Sequence, residues 1–384
     1  MTITVPGGDE TLVRGGLCLL PGEGLVPADL HLSGGFIADI RRGHTLKSGG
    51  LDAASCLVLP GIVDIHGDAF ERQIMPRPKT MFPLDLALIE TDRQLAANGI
   101  TTAYHGVTVS WEPGLRSLEQ ALRIIDALDR LESALLCDHR LHIRWETFAL
   151  DEMGAVEALF DRPRKPLLAF NDHTAPSIKG TRTDSKIKSA AERAMLDTDD
   201  YMKLLHRVAD RASDVPAAIS HLAELACEKG VKLLSHDDRT VAERESFRAL
   251  GAKIAEFPMN IETLEAAASS RDVVVLGAPN VVRGGSHNGA IGAEHAIRNE
   301  LCHVLASDYY YPAPLRAALD LDERNSLPLE RAWTLISENP SVACGLSDRG
   351  QIEIGLRADL LILPELSSRP SAVLAGGRLI YRSC

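Results

Sequence analysis

Ile62-Val63-Asp64-Ile65-His66-Gly67-Asp68 is the stretch on which the fold turns. It begins as a short apolar run rich in β-branched side chains, the pattern of a buried strand. It ends in two polar side chains, His66 and Asp68, two positions apart. On an extended strand such residues point the same way, which suits two ligands on one ion. Seven further short runs follow, at 101–106, 141–146, 167–171, 231–236, 253–257, 273–276 and 303–307, with helical periods between them. Leu118, Leu122, Ile125, Leu128 and Leu135 keep a three-four spacing ahead of the third run. Thr240 and Glu243 form a capping box after the fifth, and Gly251 closes that helix. Eight strands alternating with helices predict an α/β fold, a (β/α)₈ TIM-like barrel over residues 59–349.

Outside the barrel the texture changes. Apolar or alternating runs at 12–20, 31–40 and 56–59 are punctuated by Gly15-Gly16, Gly22, Gly34-Gly35 and Gly49-Gly50. The chain end repeats the style, with a run at 358–363 and Gly376-Gly377 before 378–382. Such punctuation predicts strands, here of a small β-sandwich domain built from residues 1–58 plus 350–384. One connection is long. Residues 174–215 form an insertion after the fourth run, carrying Lys179, Arg182, Lys186, Lys188 and Arg193. Loops of this length are lids or partly helical insertions; a solvated surface excursion is the bland alternative.

Composition narrows the function. Of 384 residues, 45% are hydrophobic and 24% charged, enough for a sizeable core and against global disorder. Forty-one basic against fifty-three acidic residues leave a net charge of −12, which disfavours nucleic acid or an anionic membrane as partner. A small anionic substrate stays open, because a pocket can be locally basic. No basic segment followed by an apolar run opens the chain, and no run approaches the roughly twenty apolar residues of a membrane span. The seven scattered cysteines include no CxxC pair, so reduced thiols in the cytoplasm are expected rather than disulfides or a thiolate zinc site.

Active sites of such barrels sit at the C-terminal ends of the strands. The third, fourth, fifth and eighth runs end in Arg144-Trp145-Glu146, Asn171-Asp172-His173, Ser235-His236-Asp237-Asp238 and Ser307-Asp308. With His66 and Asp68, five strand ends deliver histidine or carboxylate to one rim. Carboxylates clustered there repel one another unless a cation joins them, and neutral imidazole with carboxylate suits zinc, manganese or iron. His31, His44, His139, His206, His221, His295 and His303 fall elsewhere and read as surface or structural residues; His105 and His142, inside runs, are intermediate.

Leu59-Pro60-Gly61-Ile62-Val63-Asp64-Ile65-His66 resembles the first strand of the amidohydrolase superfamily, and Glu338-Asn339-Pro340 with 355–360 resembles its C-terminal signature. A narrower resemblance is to the PhnM family of the carbon–phosphorus lyase pathway. It is carried by residues 66–71, Met75-Pro76-Arg77-Pro78, Asn171-Asp172-His173-Thr174, Ser235-His236-Asp237-Asp238, Glu256-Phe257-Pro258, Gly277-Ala278-Pro279-Asn280, residues 282–287 and Ser307-Asp308-Tyr309-Tyr310. The superfamily's usual first-strand His-x-His is here His66-x-Asp68, as in that narrower family. Glu256 stands near the place of the usual sixth-strand histidine.

The resemblance implies metal-dependent hydrolysis of α-D-ribose 1-methylphosphonate 5-triphosphate to the 5-phosphate and pyrophosphate. It assigns His66, Asp68, Glu146, His173, His236 and Asp308 to one or two divalent ions, zinc foremost, with Glu146 bridging if there are two. It also implies a homodimer. A divalent ion lowers the pKa of water towards about 7, and Asp308 is the candidate catalytic group that orients the water and accepts its proton. The leaving pyrophosphate needs cations. Arg77 between two prolines, Arg283 before Gly284-Gly285, Ser286, His287, and Lys179 and Arg182 in the insertion are the candidate substrate contacts. Two other readings remain: an amidohydrolase acting on a cyclic amide or deaminating a base, and a barrel that serves as a non-catalytic scaffold.

Overall fold

A computed structural model describes residues 10–44, 49–180, 183–284 and 292–383. The expected barrel is there. Its eight parallel strands are paired in chain order, after five strands that belong to a second sheet. Those five are β1 (Glu10–Leu20), β2 (Gly24–Ser33), β3 (Phe36–Arg42), β4 (Leu51–Asp52) and β5 (Cys56–Pro60). The barrel strands are β6 (Ile62–Gly67), β7 (Ile100–Val109), β8 (Asp138–Glu146), β9 (Leu167–Asn171), β10 (Lys232–His236), β11 (Ile254–Glu256), β12 (Val273–Gly277) and β13 (Val304–Ala306). Each of the eight apolar runs is one of these strands. The seam closes where Gly67 bridges Asp308, and the Ser307 amide and hydroxyl donate to the Asp64 carboxylate at 2.9 and 2.5 Å.

Period-2 alternation explains the packing. Val63, Ile65, Leu167, Ala169, Leu234, Ile254, Val275 and Val304 fill the barrel interior. Their neighbours Leu168, Phe170 and Leu233 face outward, against the helices. The helix Leu118–Leu131 buries Ala121, Ile124, Ile125 and Leu128, while Leu122, expected on the buried stripe, is exposed. The helix Val241–Ala249 starts as predicted, with Thr240 Oγ accepting from the Glu243 amide at 3.1 Å.

The second sheet is completed by β14 (Leu360–Pro364), β15 (Ala372–Ala375) and β16 (Arg378–Arg382) from the other end of the chain. The strands anticipated as a sandwich form one continuous sheet, which curls until Phe36 bridges Arg357 just before β14. Val58, Leu360, Ile362 and Leu374 face its own core. Leu59, Leu361, Leu363 and Val373 join the cluster shared with the barrel. That double duty is why β14 reads as an unbroken apolar run rather than an alternating one.

The insertion is largely helical: Thr174–Ile178, Asp184–Arg193 and Thr198–Ala209. Ala190, Ala191, Ala194 and Tyr201 make a small core with Trp111, which lies just beyond β7. The Tyr201 hydroxyl and Arg193 both meet Glu112, at 2.7 and 3.1 Å. These contacts anchor the insertion to the loop beyond β7. No helix among the described residues is long and apolar enough to cross a membrane. The six described cysteines are free thiols.

Candidate metal centre

The C-terminal ends of the strands gather the predicted side chains. A bulge between Asp64 and Gly67 interrupts the β6–β7 ladder and re-aims His66. Three residues just past strand ends, Asp237, Phe257 and Asp308, adopt left-handed backbone with φ of 56°, 53° and 55°. Such conformations persist where the surroundings impose them, and they concentrate at functional sites.

Ligand-capable atoms of His66, Asp68 and Asp308 lie within 4.8 Å of one another, and so do those of His173, His236 and Asp237. A third, fully buried group joins His66, His142 and Glu256. Glu256 Oε1 lies 3.0 Å from His66 Nδ1, and its Oε2 lies 3.3 Å from His236 Nδ1. With both Nδ1–H groups donated to one carboxylate, each ring presents its Nε2 lone pair elsewhere, the arrangement typical of metal-binding histidines. The two rings stack with centroids 5.3 Å apart, and Phe257 packs edge-on against both. Burial holds both imidazoles far below the ordinary histidine pKa, so they are neutral and competent ligands.

The carboxylates behave as a site short of positive charge. Burial, then the charge of Asp68, pushes Asp308 up to about 7. Burial and Glu71 raise Asp68 as well. Two neutral imidazoles facing crowded carboxyls are a donor set that fits a divalent cation. Arg144, 4% exposed, supplies part of the missing charge. Its guanidinium lies 3.3 Å from Asp68 Oδ2 and 3.2 Å from His236 Nε2.

Glu146 is differently engaged from what its expected bridging role requires. Its Oε2 accepts the His173 amide at 3.1 Å and its Oε1 lies 2.5 Å from His173 Nδ1. Burial alone would raise its carboxyl, but His173 holds it well below the usual carboxylate range. Asp172 accepts the amides of Thr174 and Ala175 at 3.0 and 2.9 Å, and Asp238 pairs with the buried Arg244 at 3.1 Å. Both carry structure.

The amino-acid sequence is 31% identical, over 345 residues, to alpha-D-ribose 1-methylphosphonate 5-triphosphate diphosphatase of Escherichia coli K12, covering 88% of this chain and 91% of the relative. The chain belongs to that diphosphatase family. No family model matches it. Solved structures place the family's fold among the amidohydrolases. An amidohydrolase from a Sargasso Sea sample aligns with a TM-score of 0.65 at 15% identity, covering 97% of this chain and 93% of that one. A triazine hydrolase variant aligns at 0.60 and 13%, covering 98% and 95%. A zinc-bound adenosine deaminase from Xanthomonas campestris aligns at 0.62 and 11%, covering 96% and 92%.

The candidate substrate contacts of this family member stand apart from the buried cluster. Arg77 is exposed beyond the short helix Glu71–Ile74, Lys179 is exposed at the end of the helix Thr174–Ile178, and Arg283 is exposed at the end of the helix Ala278–Val282. All three follow C-terminal strand ends. Arg182, Ser286 and His287 lie outside the described residues. Three buried residues of the site were not among the predicted ligands. Arg144 and His142 stand two and four positions before Glu146 in β8, so strand alternation already placed them on the face of that predicted ligand. Glu256 had a legible signal, since it ends the sixth run at the position of the superfamily's histidine.

Proposed function

We propose that this chain hydrolyses α-D-ribose 1-methylphosphonate 5-triphosphate to the 5-phosphate and pyrophosphate. The observation that carries this reading, alongside the family relationship, is the shared carboxylate of Glu256. It engages the Nδ1 atoms of His66 and His236, with His66 grouped with Asp68 and Asp308, and His236 with His173 and Asp237.

His66, Asp68 and Asp308 would hold one divalent ion, and His173 and His236 a second, with Glu146 between them after its bond to His173 rearranges. Zinc is the first candidate, and manganese or iron suits the same donors. When bound, such an ion supplies Lewis-acid charge stabilisation and a water acidic enough to ionise near neutral pH. Asp308 takes the proton of the water that attacks the α-phosphorus. Glu256 fixes the histidine tautomers. Arg77 and Arg283, aided by Lys179, Arg182, Ser286 and His287, bind the polyphosphate and stabilise the departing pyrophosphate. A cytoplasmic homodimer goes with this reading, and the free thiols are consistent with a reducing compartment.

The test is to incubate metal-loaded protein with the triphosphate and follow the products by phosphorus NMR, with Asp308→Asn alongside. Pyrophosphate released by the parent and not by the variant is the expected result. Silence from the metal-loaded parent would remove the triphosphate assignment and turn the search to cyclic amides and deamination substrates.

A further inference from the structure

The other end of the barrel carries a second concentration of chemistry. Asp138 opens β8 and Glu146 closes it, so their ends lie roughly 26 Å apart at about 3.3 Å per residue. Around Asp138 is a cavity of about 660 Å³, where the start of β8, the loop 162–165 and the curled sheet's Arg357 and Arg378 meet. Its walls hold seven Lys and Arg side chains against three acidic ones, an excess of four cations on a chain whose net charge is −12.

Five of the seven cations have a carboxylate partner among the described residues, Arg162 with Asp129 and Arg357 with Asp359 among them, and two do not. Arg349, Arg140 and Arg164 reach Asp138 at 2.7, 3.0 and 3.5 Å, while Arg349 also pairs with Asp348 at 2.8 Å and Arg164 with Glu132 at 2.7 Å. Lys165 Nζ donates only to the Phe160 carbonyl at 2.7 Å. Arg378 Nη2 donates to the Leu135 and Leu136 carbonyls at 2.9 and 3.1 Å. Among the described residues neither has an acidic partner within ion-pair distance. These two cations, without a carboxylate of their own in a wall already rich in guanidiniums, raise the local potential and draw anions. Guanidiniums in particular match phosphate oxygens two at a time. The volume lies within the usual range of small-molecule sites, about 300–1,000 Å³, and Leu128 and Leu141 give it an apolar side.

We propose that this cavity is a binding site for a polyphosphate anion, separate from the metal centre and independent of the function assigned to it. The free phosphate chain and the phosphate chain of a nucleotide are the two sources of that chemistry. Full-length protein free of added metal is titrated calorimetrically with tripolyphosphate and with ATP. Expected, beside whatever binds at the metal centre's rim, is a site whose affinity falls at least tenfold in Lys165→Ala/Arg378→Ala and is unchanged in Arg77→Ala/Arg283→Ala. Equal affinity for the two probes assigns recognition to the phosphates alone, and tighter binding of ATP adds the apolar side. Protection of Lys165 from acetylation by tripolyphosphate, read by mass spectrometry, tests the parent protein without any substitution. Absence of binding, binding indifferent to the Lys165/Arg378 pair, or no protection of Lys165 would overturn the proposal.

Discussion

His66 Nδ1 lies 3.0 Å from Oε1 of Glu256, a residue 190 positions further along the chain. The same carboxylate reaches His236 through its other oxygen, so one acid sets two rings. A glutamine keeps the shape but offers one acceptor oxygen for two ring donors. Glu256→Gln should therefore weaken divalent-metal binding by about 10–100-fold with the fold retained. Titration of metal against a fluorescent chelator, with circular dichroism as the folding control, measures this. Unchanged affinity would mean that the rings are oriented by something else.

Metal uptake should release a proton from the Asp308 carboxyl rather than from His66 or His236. His66 and His236 are already neutral at pH 7, whereas Asp308 keeps its proton up to about 7. Below that pH an incoming ion must displace the proton. Affinity should fall by roughly tenfold per pH unit as the pH drops from about 7 to 6, and level off above it. Asp308→Asn should flatten that dependence while lowering affinity overall. Calorimetry in buffers of different ionisation enthalpy counts the protons.

Gly67 sits at the barrel seam because nothing larger fits. A Cβ there would lie 2.8 Å from Asp64 Oδ2 and 3.2 Å from both Ser307 Oγ and Tyr311 Cε1. Gly67→Ala should cost about 1–3 kcal/mol through overpacking and should disturb the metal centre, since His66 and Asp68 flank it. Chemical denaturation and metal affinity should move together.

Away from the site, Asp92 accepts the Leu136 and Cys137 amides at 2.8 and 3.0 Å and meets His139 Nε2 at 2.9 Å. Burial would raise its carboxyl, but His139 and the two amides hold it below the ordinary value. A depressed carboxyl contributes stability that is complete above the unfolded pKa of about 3.9 and fades as the pH falls through the folded value. Asp92→Ala should lower stability at pH 7 by about 3 kcal/mol. The gap between parent and variant should hold down to about pH 5 and narrow below pH 4. Urea melts across that range are the check.

The barrel was legible because its signal is local. Each of the eight apolar runs became a strand, and Thr240 with Glu243 capped the helix expected of them. The rim was legible by the same logic, since His66, Asp68, His173, His236 and Asp308 all close strands or follow them directly. Leu122 was misread because a three-four spacing fixes a stripe only to within about one helical position. The actual contact face runs through Ala121, Ile124 and Leu128.

By itself the sequence determined the barrel, the second sheet drawn from both chain ends, and the strand ends that carry the candidate ligands. Periodicity and turn chemistry act between neighbours in the chain and can be read there. Tertiary structure alone decided which way those ligands face. The bulge that turns His66, the pairing of Glu146 with His173, and the meeting of His66 and His236 on Glu256 depend on strands far apart in sequence. Directions and distances of that kind arise only when the barrel closes, because closure, rather than local preference, sets which buried polar groups must satisfy one another.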